Sequence, residues 1–148
     1  MKRERLVSDR RLLRYLLKNG MNVERSAKAF EETLCWREDN NIDAILDHIV
    51  RENLSPATAP RGEMILRLLP QVPCSFHLTD KKGNPLSIEY YGFDPSNVMA
   101  ISQDDYMRWF LYCMEYKMLV LDILSDRAEQ ETIALAADAS IDAPLEPG

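Results

Sequence analysis

The chain has 148 residues, of which 46% are hydrophobic and 28% are charged, a composition typical of a folded chain of one modest domain. The net charge of −6 argues against nucleic acid as the main partner, because nucleic-acid binding favours a basic surface. The N-terminus is charged where a secretory signal would be apolar, and no run of about 18 apolar residues could span a bilayer. Three widely spaced cysteines also fit a reducing compartment, so we predict a cytoplasmic protein, with peripheral attachment to a membrane as the alternative.

Residues 12–37 predict a helical hairpin around an Asn-Gly turn. Ser8 or Asp9 can cap the first helix, and Gly20 can adopt the left-handed conformation that ends it. The spacing predicts one apolar face on this first helix, made of Leu12, Leu13, Leu16 and Leu17. Asn22 can cap the second helix, whose predicted apolar stripe consists of Val23, Ala27, Phe30 and Leu34.

The N-terminus carries a local excess of positive charge despite the acidic chain, from Lys2, Arg3, Arg5, Arg10, Arg11 and Arg14. A run of cations on a helix is usually a solvated face. The alternative interpretation is a surface that faces a membrane.

A third helix is predicted from Asn41, as its cap, to about Glu52. Its apolar stripe follows the spacing i, i+3, i+4, i+7 and comprises Ile42, Ile45, Leu46 and Ile49. The Pro-containing segment 53–62 predicts a linker or long loop, followed by one or two helical turns over 64–69.

Residues 74–91 predict a β-hairpin. Residues 76–78 precede a turn at 80–85, and Leu86–Tyr90 then alternates with period two. Beyond it, Ser102 can cap a helix of about Gln103–Ser125, with Asp105 reaching back in a capping box. This helix is apolar nearly all round, which indicates burial.

Two stretches of the sequence resemble the Sec14-like (CRAL-TRIO) lipid-binding family. The helical hairpin carries the pattern L-R-Y-L, N-V-E and A-x-x-F-x-x-T-L-x-W-R, and the turn at 80–86 carries D-x-x-G-N-P-L where the family often has Arg in place of Asn84. Glu115-Tyr116 matches an E-Y pair in the family's long helix. The matching hairpin residues are Leu13, Arg14, Tyr15, Leu16, Val23, Glu24, Ala27, Leu34, Trp36 and Arg37.

The resemblance implies an α/β fold that is mostly helical: an N-terminal helical bundle followed by a β-hairpin and the long helix of an incomplete CRAL-TRIO domain. It places the bundle at residues 1–53, a linker with a short helix at 54–73 and the start of the lipid-binding domain at 74–138. Residues 132–135 would be a buried strand, and the tail 139–148 is expected to be disordered. Since the family's domain is only begun at residue 138, we expect either a fragment or a shortened relative whose exposed faces meet a partner.

The sequence offers little sign of catalysis or of a bound cofactor or metal. His48 and His77 have no second ligand at metal spacing, and the phosphate-loop and nucleophile-elbow motifs are absent from the sequence. A Cys-His nucleophile pair is not excluded by sequence, although buried structural cysteines explain the pattern equally well. We therefore expect a protein that is not an enzyme.

By resemblance, the complete domain binds one lipid and transfers it between membranes that it meets transiently. The lipid would be a phospholipid, such as phosphatidylinositol, or another small hydrophobic ligand. The residues expected to line the lipid site are Trp109, Tyr112, Cys113 and Tyr116, although such a stripe is more often plain core. Two alternatives are a regulatory module whose protein partner covers the helix 103–125, and a fragment that binds no lipid.

Overall fold

The computed structural model describes residues 7–69, 76–81, 84–87 and 94–141. The chain is mostly helical and divides into two compact units, Met1–Asn53 and Leu54–Gly148.

The first unit contains three helices: α1 (Asp9–Lys18), α2 (Val23–Asp39) and α3 (Ile42–Glu52). Ser8 and Asn22 cap α1 and α2 as predicted, because their side-chain oxygens accept hydrogen bonds from the backbone N–H groups three residues later. Gly20 adopts a φ of 62° after α1, which confirms the predicted left-handed turn.

Tyr15 joins α1 to α2. Its hydroxyl donates a hydrogen bond of 2.7 Å to Thr33 Oγ1, and its ring lies edge-on to Phe30 at a centroid distance of 5.2 Å. The predicted face of four leucines is wrong in part, since Leu13 and Leu17 are 49% and 64% exposed. The aromatic residue between the leucine pairs, rather than the leucines alone, determines how the helix packs.

The packed face of α2 differs from the predicted stripe. Ser26 and Arg37 are buried and Phe30 and Thr33 are half-buried, whereas Val23 is 70% exposed and Ala27 is also exposed. Polar residues occupy this face because they have partners there: the Ser26 hydroxyl donates to the backbone carbonyls of Asn22 and Tyr15. The predicted stripe is therefore wrong at Val23 and Ala27, whereas its other two members, Phe30 and Leu34, are half-buried.

The predicted stripe of α3 is confirmed, since Ile42, Ile45 and Ile49 are buried and Leu46 is half-buried. The proposed cap at Asn41 is wrong. Asn41 precedes the helix with a φ of 52°, and its side chain makes no capping hydrogen bond.

An ion pair joins the end of α2 to the start of α3. Arg37 Nε and Nη2 lie 2.9 and 2.8 Å from Asp43 Oδ1, and the Arg37 side chain is only 9% exposed.

The substitution Asp43→Ala tests this ion pair. We expect it to lower the free energy of unfolding by about 1–2 kcal/mol. A fully buried pair would lose more, but the Asp43 carboxylate is half-exposed. Urea denaturation measures this loss. The exposed Asp39→Ala, as the control, should change stability by less than about 0.5 kcal/mol, and equal losses in both variants would contradict a specific role for the pair.

The second unit contains α4 (Gly62–Leu68), strands β1 (Phe76–Thr79) and β2 (Pro85–Ser87), α5 (Pro95–Met99) and α6 (Gln103–Ile141). Asp94 caps α5, and hydrogen bonds from the side chain and backbone N–H of Ser96 hold the pKa of the Asp94 carboxyl below its usual value.

The predicted hairpin is confirmed, because β1 and β2 pair antiparallel with Phe76 opposite Ser87. The Asp80 carboxylate closes the turn by accepting hydrogen bonds from the backbone and side-chain nitrogens of Asn84 at 2.8 and 2.9 Å. The later part of the predicted second strand, residues 88–90, lies outside the described residues.

Helix α6 is longer than predicted and runs to Ile141. Residues 132–135, which the family resemblance placed in a strand, continue this helix. Alanine is an excellent helix former and a poor strand former, so local propensity prevails over the resemblance here. Of the tail expected to be disordered, residues 139–141 are helical and residues 142–148 lie outside the described residues.

Candidate functional site

The four residues predicted to line a lipid site share one face of α6. Trp109, Tyr112, Cys113 and Tyr116 recur at i, i+3, i+4 and i+7, so that their side chains follow each other along the helix. Three of them are buried within the chain, with exposed fractions of 1% for Trp109, 4% for Tyr112 and 0% for Cys113. Tyr116 is half-buried. Of the four, Tyr116 therefore keeps the most surface for a ligand.

Trp109 anchors the segment before α4 to this face. Its indole Nε1 donates a buried hydrogen bond of 2.9 Å to the backbone carbonyl of Pro56. Ser55 and Thr58 shape that segment, because the Ser55 N–H donates to Thr58 Oγ1 at 2.8 Å. The segment that the sequence indicated as a linker is thus a compact turn with a specific partner.

Gly62 begins α4 at a position where the neighbouring backbone leaves no room for a side chain. A Cβ on this residue would lie 2.2 Å from the Pro56 carbonyl oxygen and 2.7 Å from that of Ala57. Both obstacles are backbone atoms, which cannot rotate away. Gly62 therefore allows the turn at 55–59 to close, and the closed turn presents the Pro56 carbonyl to Trp109.

The start of α6 carries a further link to this turn. Ser102 caps the helix as predicted, accepting a hydrogen bond of 3.1 Å from the Asp105 N–H. The reciprocal half of the capping box is wrong, since Asp105 Oδ1 instead lies 3.4 Å from Arg61 Nε. This pair is largely exposed, so we expect it to contribute little to stability.

The middle of α6 is only partly covered. Residues 116–122 are all half-buried, although most of them are apolar, and the apolar members face every direction around the helix: Tyr116, Met118, Leu119, Val120 and Leu121. The β-hairpin contributes one polar contact beside them, a hydrogen bond of 3.0 Å from Lys117 Nζ to Ser87 Oγ. Segment 116–122 thus offers a partly exposed apolar surface to a ligand.

The described residues hold no group of three or more His, Cys, Asp or Glu side chains that could bind a metal ion. His48 is half-buried on α3, and His77 lies in β1. Within the same residues, none of the helices combines the length and apolarity needed to cross a bilayer.

Sequence reasoning found the stripe on α6 but missed Pro56 and Gly62. A signal was present, because a buried tryptophan needs an acceptor for its N–H and the Pro-Ala-rich segment offers free carbonyls. Because the donor and the acceptor are 53 residues apart in sequence, local patterns did not reveal the pairing.

Comparison with curated proteins gives two matches from Arabidopsis thaliana. Phosphatidylinositol/phosphatidylcholine transfer protein SFH13 is 34% identical over 100 residues, or 66% of this chain. Phosphatidylinositol/phosphatidylcholine transfer protein SFH9 is 26% identical over 92 residues, or 62% of this chain. The matched segment spans 14% of the length of each relative.

No protein-family model matches the chain, and no solved structure matches it. Both curated relatives are phosphatidylinositol/phosphatidylcholine transfer proteins, in agreement with the lipid-binding family that the sequence resembles. Over about two thirds of its length the chain is therefore similar to phosphatidylinositol/phosphatidylcholine transfer proteins, and this similarity supports a Sec14-like relationship.

Proposed function

We propose that the chain contributes to binding one phospholipid, of the phosphatidylinositol or phosphatidylcholine type, and to transferring it between membranes. The observation that carries this proposal is the identity of 34% with a phosphatidylinositol/phosphatidylcholine transfer protein across most of the chain. Such transfer makes and breaks no covalent bond. It requires an apolar site that shields acyl chains from water, and a cytoplasmic location would bring the chain to the membranes served.

Helix α6 is the element proposed to meet the lipid. Trp109 holds the first part of the helix against the turn at 55–59, and Tyr112 and Cys113 are buried on the same face. Tyr116 starts the half-buried apolar segment 116–122. Methionine and leucine adapt to flexible acyl chains, while the tyrosine hydroxyl can bond to a polar headgroup. By the family resemblance, this helix would belong to an α/β lipid-binding domain of the CRAL-TRIO type.

This assignment predicts that Tyr116→Ala slows phospholipid transfer. The substitution removes the ring at the start of segment 116–122, so fewer apolar contacts hold the acyl chain, and we expect a loss of about tenfold in the transfer rate. The measurement follows fluorescent phosphatidylcholine and phosphatidylinositol from donor to acceptor vesicles. Met107→Ala is the control, since Met107 is 47% exposed on the same helix.

A transfer rate reduced equally by both substitutions would contradict the role of segment 116–122. If the chain increases the transfer rate of neither lipid, the proposed transfer function is contradicted. That result would favour the alternative in which a protein partner covers α6, and a pull-down with immobilised chain would then recover a partner whose binding is weakened by Tyr116→Ala.

A further inference from the structure

Large apolar side chains are exposed together at the turn between α1 and α2. Leu17, Met21 and Val23 are 64%, 58% and 70% exposed, and Leu13 is 49% exposed one helical turn before Leu17. We call these four residues the hairpin tip. Single exposed apolar residues are ordinary on protein surfaces, but four within eleven positions form a patch that requires an explanation.

The backbone brings the turn that carries Met21 close to the exposed leucines of α1. Leu13 and Leu17 are four residues apart on α1, so they share a face. The Met21 N–H donates a hydrogen bond of 2.7 Å to the Leu16 carbonyl, which folds the turn back onto the end of α1. Met21 itself has a φ of 62°, an uncommon conformation for a residue with a long side chain.

Positive charge is concentrated in the sequence leading up to this patch, although the whole chain is acidic. Residues 1–20 contain seven Lys and Arg residues and two acidic residues, whereas the whole chain has a net charge of −6. Arg14 and Lys18 are exposed and adjoin Leu13 and Leu17 in sequence. Apolar side chains with cations beside them suit one surface above others, the anionic phospholipid bilayer, because it attracts cations and accepts apolar groups below its headgroups.

We propose that the hairpin tip is a membrane-docking surface that inserts Leu17, Met21 and Val23 among the headgroups of an anionic bilayer while Arg14 and Lys18 bind lipid phosphates. This surface requires no lipid bound elsewhere in the chain. The proposal therefore stands or fails separately from the proposed transfer function.

Flotation of the 148-residue chain with vesicles tests this proposal. Vesicles of phosphatidylcholine with about 20% phosphatidylserine should bind the chain, and vesicles of phosphatidylcholine alone should bind it far more weakly. Raising the salt concentration should weaken binding to the anionic vesicles, because salt screens the attraction.

The charged half of the surface is tested by the double substitution Arg14→Gln with Lys18→Gln. One cation near an anionic membrane strengthens binding by about fivefold. The double substitution should therefore weaken binding to the anionic vesicles by about 25-fold. The matched control is Arg108→Gln with Arg127→Gln, which removes two exposed cations from α6 and should change binding by less than about twofold.

The apolar half is tested by Val23→Ser against Val50→Ser, which makes the same change at a valine that is 46% exposed on α3. Val23→Ser should weaken binding by about tenfold and Val50→Ser should not. Circular dichroism of each variant checks that the helices are intact.

Two results would overturn the docking proposal. One is equal binding of the wild type and the variants at the hairpin tip, which would place any membrane contact elsewhere. The other is a wild-type dimer that Leu17→Ser dissociates, which would identify a second copy of the chain as the occupant. Neither result decides whether the chain transfers phospholipid, which is measured separately with the same vesicles.

Discussion

Trp109→Ala should lower the free energy of unfolding by about 3–5 kcal/mol, which is a large fraction of the stability of a typical domain. Trp109 is 1% exposed, so its removal leaves a cavity beside α6. The substitution also removes the indole N–H that donates to the Pro56 carbonyl, and the turn at 55–59 loses its link to the helix. Urea denaturation followed by far-UV circular dichroism measures the loss.

Two variants separate the parts of this effect. Trp109→Phe retains most of the ring but cannot donate the hydrogen bond, and we expect it to cost about 1–3 kcal/mol. Trp36→Ala is the control for removing a tryptophan, because Trp36 is 47% exposed, and it should cost less than about 1 kcal/mol. Similar losses at both tryptophans would contradict the special position of Trp109.

Gly62→Ala should destabilise the second unit by about 3 kcal/mol although it adds only one methyl group. The new Cβ would lie 2.2 Å from the Pro56 carbonyl oxygen, so either the turn at 55–59 or the start of α4 must shift. Because this turn holds the Trp109 indole, the near-ultraviolet circular dichroism of the chain should change as well. Thermal and urea unfolding give the magnitude.

Gly20→Ala is the matched substitution in the first unit. Gly20 has a φ of 62°, but no atom lies within 4 Å of its added Cβ. The cost there is conformational strain alone, about 1–2 kcal/mol. A Gly62→Ala variant as stable as the wild type would show that the turn is not packed as closely as we describe.

The features that the sequence predicted best are those determined by neighbouring residues. The caps at Ser8, Asn22 and Ser102, the left-handed Gly20 and the hairpin near residue 80 all depend on residues within a few positions of each other. Short-range geometry leaves few alternatives to such elements, so a single sequence suffices to find them.

The packed face of α2 was missed because it depends on polar residues whose partners are not marked by apolar spacing. Ser26 and Arg37 are buried on α2 because carbonyl and carboxylate oxygens reach them, and no hydrophobic pattern marks such positions. Trp36 fits the family motif but is 47% exposed. The length of α6 was underestimated because the resemblance to a buried strand outweighed the helix propensity of the alanines after residue 133.

The sequence predicted which residues of the candidate lipid site share a face, but not which of them are buried. The i, i+3, i+4, i+7 spacing placed Trp109, Tyr112, Cys113 and Tyr116 on one face, as observed. Spacing could not distinguish side chains covered by the chain itself from those available to a ligand. Burial makes this distinction, and it moves the proposed lipid contact from Trp109 towards Tyr116 and segment 116–122.

Native mass spectrometry of the purified chain, followed by extraction and identification of any bound lipid, tests the proposed function most directly. We expect a monomer with one phosphatidylcholine or phosphatidylinositol molecule, and a lower occupancy for Tyr116→Ala than for Met107→Ala. A chain that is folded by circular dichroism but remains free of lipid after incubation with vesicles of both phospholipids would contradict the proposal.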